Sequence, residues 1–241
     1  LKVMNKIKKK KFLDPNLKNK SKTVEDKIQL FEFNGNMLPL PTEIEISESG
    51  TCNRSCSFCP RSSSNFIDKK EFISNTLHEK LCVELQELNY KGTIRYSGFV
   101  EPMLDKNIYN LITMVRNYLP DSNIEMVTNG DPLNLKRLKK LFEHGLNKIL
   151  ISSYDGKEES EKLEDLCIEA NLNEKQYIVR HRYYSEDKDF GITLSNRSGL
   201  MVDAEFKIDA LKEPLKKPCY IPSYTFFLDY QGDVLMCPHD W

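Results

Sequence analysis

Three cysteines fall within eight residues in Cys52-Asn53-Arg54-Ser55-Cys56-Ser57-Phe58-Cys59, spaced C-x3-C-x2-C. Neighbours this close form strained disulfide rings, and an odd number leaves one thiol over, so a disulfide frame is a poor reading. A tetrahedral zinc site takes four ligands, usually as two C-x2-C pairs, and no fourth lies near in sequence. Three thiolates on one short loop suit an iron–sulfur cluster with one iron left open. An open iron binds something else, and that something is expected to be the reactant.

Such a loop needs a frame. Just ahead of it Thr42-Glu43-Ile44-Glu45-Ile46-Ser47 alternates apolar and polar residues, the period of a half-buried strand. Leu77, Leu81, Leu85 and Leu88 then recur at helical spacing, and Gly92 breaks the pattern before the strand-like Thr93-Ile94-Arg95-Tyr96. Ile108, Leu111, Ile112 and Val115 mark a second helix, with Pro120 beyond its end. Residues 124–127 read as a strand ending in Thr128-Asn129-Gly130, and Leu135, Leu138, Leu141 and Phe142 as a helix closed by Gly145. Ile149-Leu150-Ile151 is a compact strand ending at Ser152-Ser153. Residues 157–170 read as helix and 176–179 as strand. Strand and helix alternate with connections too long for hairpins, which predicts a parallel sheet with helices outside, open or curled into a barrel. In such folds the working residues sit past the C-terminal ends of strands. The cysteines, Ser97-Gly98-Phe99-Val100-Glu101, Thr128-Asn129-Gly130 and Ser152-Ser153 all fall there.

Residues 1–40 are polar and rich in Lys and Asn, and read as a loosely ordered N-terminal arm with structure beginning at Pro41. Residues 41–213 form the expected core. From 214 the pattern changes to two strands around Asp229-Tyr230-Gln231-Gly232-Asp233, a hairpin with Cys219 ahead of it and Cys237 ending it. The chain opens at Leu1 rather than Met and stops at Trp241, which reads as a piece of a longer protein. A length of 241 residues with 39% hydrophobic content allows one good-sized domain and part of a second. A net charge of −1 gives no reason to expect a nucleic-acid or anionic-membrane partner, and the basic run at residues 6–11 reads as a solvated arm. With no signal-peptide pattern and no 18-residue apolar run, the expected compartment is the cytoplasm. Seven cysteines in that setting point to metal or redox chemistry. Cys82 and Cys167 lie on apolar helix faces and are expected in the core.

The cysteine loop, with Phe58 before its last cysteine, resembles the signature of the radical S-adenosylmethionine (SAM) superfamily. The resemblance implies that Cys52, Cys56 and Cys59 hold a [4Fe-4S] cluster and that SAM chelates the fourth iron. It implies a partial (β/α)6 barrel, an electron donor such as flavodoxin or ferredoxin, and a 5′-deoxyadenosyl radical that takes hydrogen from a substrate. Phe99-Val100-Glu101-Pro102 resembles the superfamily's Gly-Glu-Pro element, with Val100 where glycine is usual, and implies that Glu101 takes the SAM ammonium. Asn129, in Thr128-Asn129-Gly130, and Ser152 match positions that line the SAM pocket, and Phe58 joins them. A strand-end hydroxyl bonded to backbone is the plainer reading of Ser152.

Cys219, the 18-residue step to Cys237, and Gly232-Asp233-Val234 between them resemble the start of a SPASM or shorter twitch domain. That resemblance implies an auxiliary [4Fe-4S] cluster held in part by Cys219 and Cys237. Leu194-Ser195-Asn196-Arg197-Ser198-Gly199 resembles a segment of twitch-domain dehydrogenases that act on cyclitols, and implies that Arg197 is the catalytic base. Orientation of SAM or of a loop is the alternative role, since a guanidinium is a poor base. The expected function is a radical SAM oxidoreductase oxidising a small sugar- or cyclitol-like alcohol, with the auxiliary cluster as electron acceptor. The competing readings are a SPASM-type maturase of a ribosomal peptide and a non-catalytic iron–sulfur or zinc module.

Overall fold

A computed structural model describes residues 29–183, 212–213, 216 and 221–238. Arg197 and Cys219 lie outside those residues. Strand β1 (Leu30–Phe33) and β2 (Asn36–Pro39) come first, followed by β3 (Glu43–Ser47), β4 (Ser49–Gly50), β5 (Lys69–Phe72) and helix α1 (Asn75–Glu87). Then β6 (Thr93–Tyr96), α2 (Ile108–Tyr118), β7 (Asn123–Thr128), α3 (Leu135–Glu143), β8 (Lys148–Ser153), α4 (Lys157–Glu169) and β9 (Tyr177–His181) alternate as the pattern predicts. The short helix α5 (Ile221–Tyr224) leads into β10 (Thr225–Asp229) and β11 (Val234–Leu235).

One seven-stranded sheet has the order β11-β10-β3-β6-β7-β8-β9. Every neighbouring pair from β10 to β9 is parallel, and only β10–β11 is antiparallel. This is the α/β architecture of a partial barrel. Period 2 sorts the two faces. Ile46, Tyr96, Met126 and Ile149 stand in register on one face and are fully buried in a single core with Leu111, Ile112 and Leu138 of the helices. Glu45, Arg95, Glu125 and Lys148 stand in register on the other. Cys82 and Cys167 are buried in the helical layer, where the pattern places them.

Two expectations are corrected. Ordered structure begins before Pro41, because β1 and β2 pair around Asn34-Gly35, both at positive φ (49° and 77°). That two-residue turn matches the twist of paired strands and forms locally, with no need of apolar periodicity. The C-terminal hairpin forms as expected, but its first strand does not stand apart. β10 runs parallel to β3 over five residues, Thr225 facing Glu43 through Asp229 facing Ser47, so it extends the central sheet. Burial of Phe227 and Leu228 rewards that docking.

Candidate functional site

Past the C-terminal ends of β3, β6, β7 and β8 the loops enclose a cleft of about 220 Å³. Cys52, Cys56 and Cys59 line it together with Phe58, and so do Glu101, Asn129 and Ser152. Cys237 follows β11 and does not line this cleft.

The cysteine loop turns on itself through the Cys59 amide, which donates to the Cys56 carbonyl at 2.9 Å. The Ser62 hydroxyl closes its end on the carbonyls of Ser57 and Cys59, at 3.0 and 2.8 Å. Burial raises all three thiol pKa values, Cys59 to about 11, and the other thiols add to the rise at Cys56 and Cys59. Three such sulfurs ionise together only beside a compensating cation.

Geometry chooses among cations. Two sulfurs on one zinc, each at about 2.3 Å, lie no more than about 4.6 Å apart. Among the described residues the three Sγ atoms do not gather within 4.8 Å of one another, whereas the carboxylates of Asp131, Asp155 and Glu159 do. Sulfurs spread beyond the reach of one zinc are compatible with a cluster, whose thiolates sit on separate irons.

Glu101 is buried and makes its bonds inside the protein. Its carboxylate accepts from the Thr128 hydroxyl and the Asn129 amide, each at 2.7 Å, and from the Met103 amide at 3.0 Å. Burial raises its pKa, and those three donors pull it back. The Glu101 amide in turn donates to the Thr51 carbonyl at 3.0 Å, beside Cys52. Glu101 therefore ties the ends of β6 and β7 to the cysteine loop. The Asn129 side chain continues the tie, donating to Asn53 Oδ1 at 2.8 Å and lying 3.8 Å from Cys52 Sγ. Val100 needs no unusual backbone; the positive φ of this loop falls at Gly98 (130°).

Ser152 does more than close its strand: its hydroxyl accepts from Arg180 Nη2 at 2.5 Å on β9. Beside it Tyr154 lies 5.4 Å from the Phe58 ring, centroid to centroid. Burial raises the Tyr154 hydroxyl, opposed by its bond to Ser152 and the charge of Arg180. Arg180, Tyr154 and Arg95 line the cleft and did not stand out in the sequence. Their signal was positional, two arginines on strand positions that face away from the apolar layer. Arg54 also escaped notice, although it stands inside the cysteine motif. Its guanidinium meets Asp131 through Nε at 2.6 Å and Nη2 at 2.5 Å, and Asp155 through Nη1 at 3.0 Å and Nη2 at 2.7 Å. Glu159 lies 3.3 Å from Nη2.

The family model of the Radical SAM superfamily matches residues 46–186, and the chain belongs to that superfamily. It is 29% identical over 200 residues to the S-adenosyl-L-methionine-dependent 2-deoxy-scyllo-inosamine dehydrogenase of Niallia circulans, covering 82% of this chain and 74% of that one. It is 30% identical over 119 residues to the probable GTP 3',8-cyclase of Thermococcus kodakarensis, over 49% of this chain and 36% of that one. Among solved structures it resembles BtrN in complex with AdoMet and 2-DOIA, with a TM-score of 0.67 at 26% identity, covering 85% of this chain and 76% of that one. Among the described residues no helix is long and apolar enough to cross a membrane.

Proposed function

We propose that this radical SAM enzyme oxidises a hydroxyl-bearing ring, a cyclitol or sugar, to a ketone. The observation that carries the reading is the convergence of Cys52, Cys56, Cys59, Glu101, Asn129 and Ser152 on one cleft at the strand ends, in a chain similar to a SAM-dependent cyclitol dehydrogenase. Cys52, Cys56 and Cys59 would hold a [4Fe-4S] cluster, and when bound the cluster and SAM supply one-electron chemistry at a carbon–hydrogen bond.

The chain's own residues do the rest. Glu101 holds the β6 and β7 loops at the depth where the SAM amino group would meet their carbonyls. Asn129 and Ser152, the latter oriented by Arg180, would hold the polar groups of SAM, and Phe58 with Tyr154 would form an aromatic wall of its site. Oxidation of a secondary alcohol to a ketone removes one hydrogen atom, one proton and one electron. Arg197 would take the hydroxyl proton. Cys219 and Cys237 would begin an auxiliary cluster site that takes the electron, in the segment that carries β10 and β11. A polar floor of Glu45 and Arg95 favours a hydroxylated substrate over an apolar one.

The test is anaerobic reconstitution followed by turnover with an aminocyclitol, SAM and dithionite or reduced flavodoxin. The expected products are 5′-deoxyadenosine and a ketone in equal amounts. Cys219→Ala and Cys237→Ala should each keep SAM cleavage and lose at least about tenfold in ketone formation, a loss of transition from radical to product. Ketone formed at the normal rate by both variants would remove the auxiliary site from the reaction.

A further inference from the structure

We infer that Arg54 is a positioning residue that fixes the cysteine loop on the barrel before any cluster is present, and with it the aromatic wall of the cleft. The inference rests on the proposed cluster at Cys52, Cys56 and Cys59 and adds a device that holds its ligands apart at the right spacing.

Arg54 stands between the first two cysteines of the motif, where the loop makes few bonds of its own. Its amide reaches only Cys52 Sγ, at 3.5 Å. Its side chain leaves the loop and enters three carboxylates on other elements. Asp131 follows β7, Asp155 follows β8, and Glu159 lies in the first turn of α4. Asn53 adds a parallel strap, donating to Asp131 Oδ2 at 2.7 Å. Two adjacent loop residues are thus bound to one carboxylate just past the end of the largely buried strand β7.

The carboxylates are themselves held in place. The Asp131 amide donates to Asn129 Oδ1 at 3.0 Å. Glu159 accepts from the Ser153 hydroxyl at 2.7 Å and from the amides of Tyr154 and Asp155 at 2.7 and 2.9 Å. The guanidinium therefore plugs into a preformed acidic socket, and the side chain of Arg54 is only 18% exposed there. It also lies over the Tyr154 ring, 5.5 Å from its centroid, on the residue that faces Phe58. One side chain sets both the loop and the wall.

Lysine would not replace it. Two bidentate carboxylate contacts in different directions use the planar fork of a guanidinium, whereas an ammonium is a point charge that satisfies one carboxylate well. A neutral residue would leave three carboxylates within 4.8 Å of one another with no cation among them, and the loop would lose its anchor on them.

The experiment compares the full chain with Arg54→Gln and Arg54→Lys. Amide hydrogen exchange on the metal-free protein should show residues 52–59 losing protection in Arg54→Gln while β3 and β6 keep theirs. After anaerobic reconstitution, iron should leave to a chelator about tenfold faster or more, the scale seen when groups that orient metal ligands are removed. SAM should bind more weakly as the aromatic wall loosens, and Arg54→Lys should fall between. Exchange, iron release and SAM affinity equal to the unsubstituted chain in both variants would overturn the inference. If Arg54→Gln does not fold, Arg54→Lys decides by the same three readings. If the unsubstituted chain takes up no cluster, the proposed cofactor fails, and the exchange comparison on metal-free protein still decides the role of Arg54.

Discussion

Glu48 lies between β3 and β4, just ahead of the cysteine loop, and is fully shut off from solvent. Its Oε2 has no hydrogen-bond partner, and neither has Asp105 Oδ2, although both atoms are buried. Burial, with the neighbouring charges of Asp105 and Glu101, lifts the Glu48 carboxyl to about 8, against 4.5 for a free side chain. At neutral pH it is therefore a neutral acid within the folded chain. Between the two values the folded state keeps a proton that the unfolded state has released, so stability falls as pH rises from 4.5 towards 8 and levels off above. The slope at its steepest is about 1.4 kcal/mol per pH unit. Glu48→Gln keeps the shape without the titration and should flatten the curve, gaining on the native chain most at pH 8. Urea titrations from pH 5 to 9 check this; parallel curves for the two proteins would refute it.

At the level of elements the loop after β6 is the part most sensitive to one atom. Gly98 sits at φ 130°, and a Cβ there would lie 2.1 Å from Ser47 Oγ, which donates to the Ser97 carbonyl at 3.0 Å. Gly98→Ala combines backbone strain with loss of that bond and should cost about 2–3 kcal/mol. It should also displace Phe99 to Glu101 and weaken SAM binding, read by calorimetry alongside a denaturant melt. The alternating elements were legible because their apolar residues keep period: Ile108, Leu111, Ile112 and Val115 are all buried on α2. On α1 the buried row is His78, Cys82 and Leu85, with Leu88 capping an exposed end, so leucine spacing alone rotated the face. His78 joins the core because its ring reaches the Tyr96 hydroxyl at 2.9 Å. The cysteines and Glu101 could be found from motif spacing. Arg54, Tyr154 and Arg180 could not, because their partners lie on other strand ends and are set by the sheet order. The docking of β10 on β3 was hidden for the same reason, as the two strands are some 180 residues apart.

Across the whole molecule the sheet separates two media. One face is an apolar wall under the helices; the other carries charge of alternating sign, Glu45, Arg95, Glu125 and Lys148, on four neighbouring strands. Arg95 is the hub. It donates to Glu125 Oε2 from Nη2 at 2.7 Å and pairs with Glu43 through Nη1, and all three side chains are almost wholly buried. Burial pushes the Glu125 carboxyl up, and Arg95, Lys148 and Asn123 together outweigh it and hold the pKa below its usual value. A buried pair is expensive to form but more expensive to break. Arg95→Met leaves two buried carboxylates without their cation and should cost about 3–5 kcal/mol. Replacing Glu43 and Glu125 by leucine in that variant removes the stranded charge and should recover most of the loss, since well-packed apolar groups often match an ion pair. Stability and ligand binding should then separate. Arg95 and Glu45 also form the floor of the cleft, so the recovered protein should melt near the native temperature yet bind a hydroxylated substrate at least about tenfold more weakly, as each lost charged hydrogen bond predicts. Native affinity in the recovered protein would make the ladder purely structural and move substrate recognition elsewhere on the strand ends.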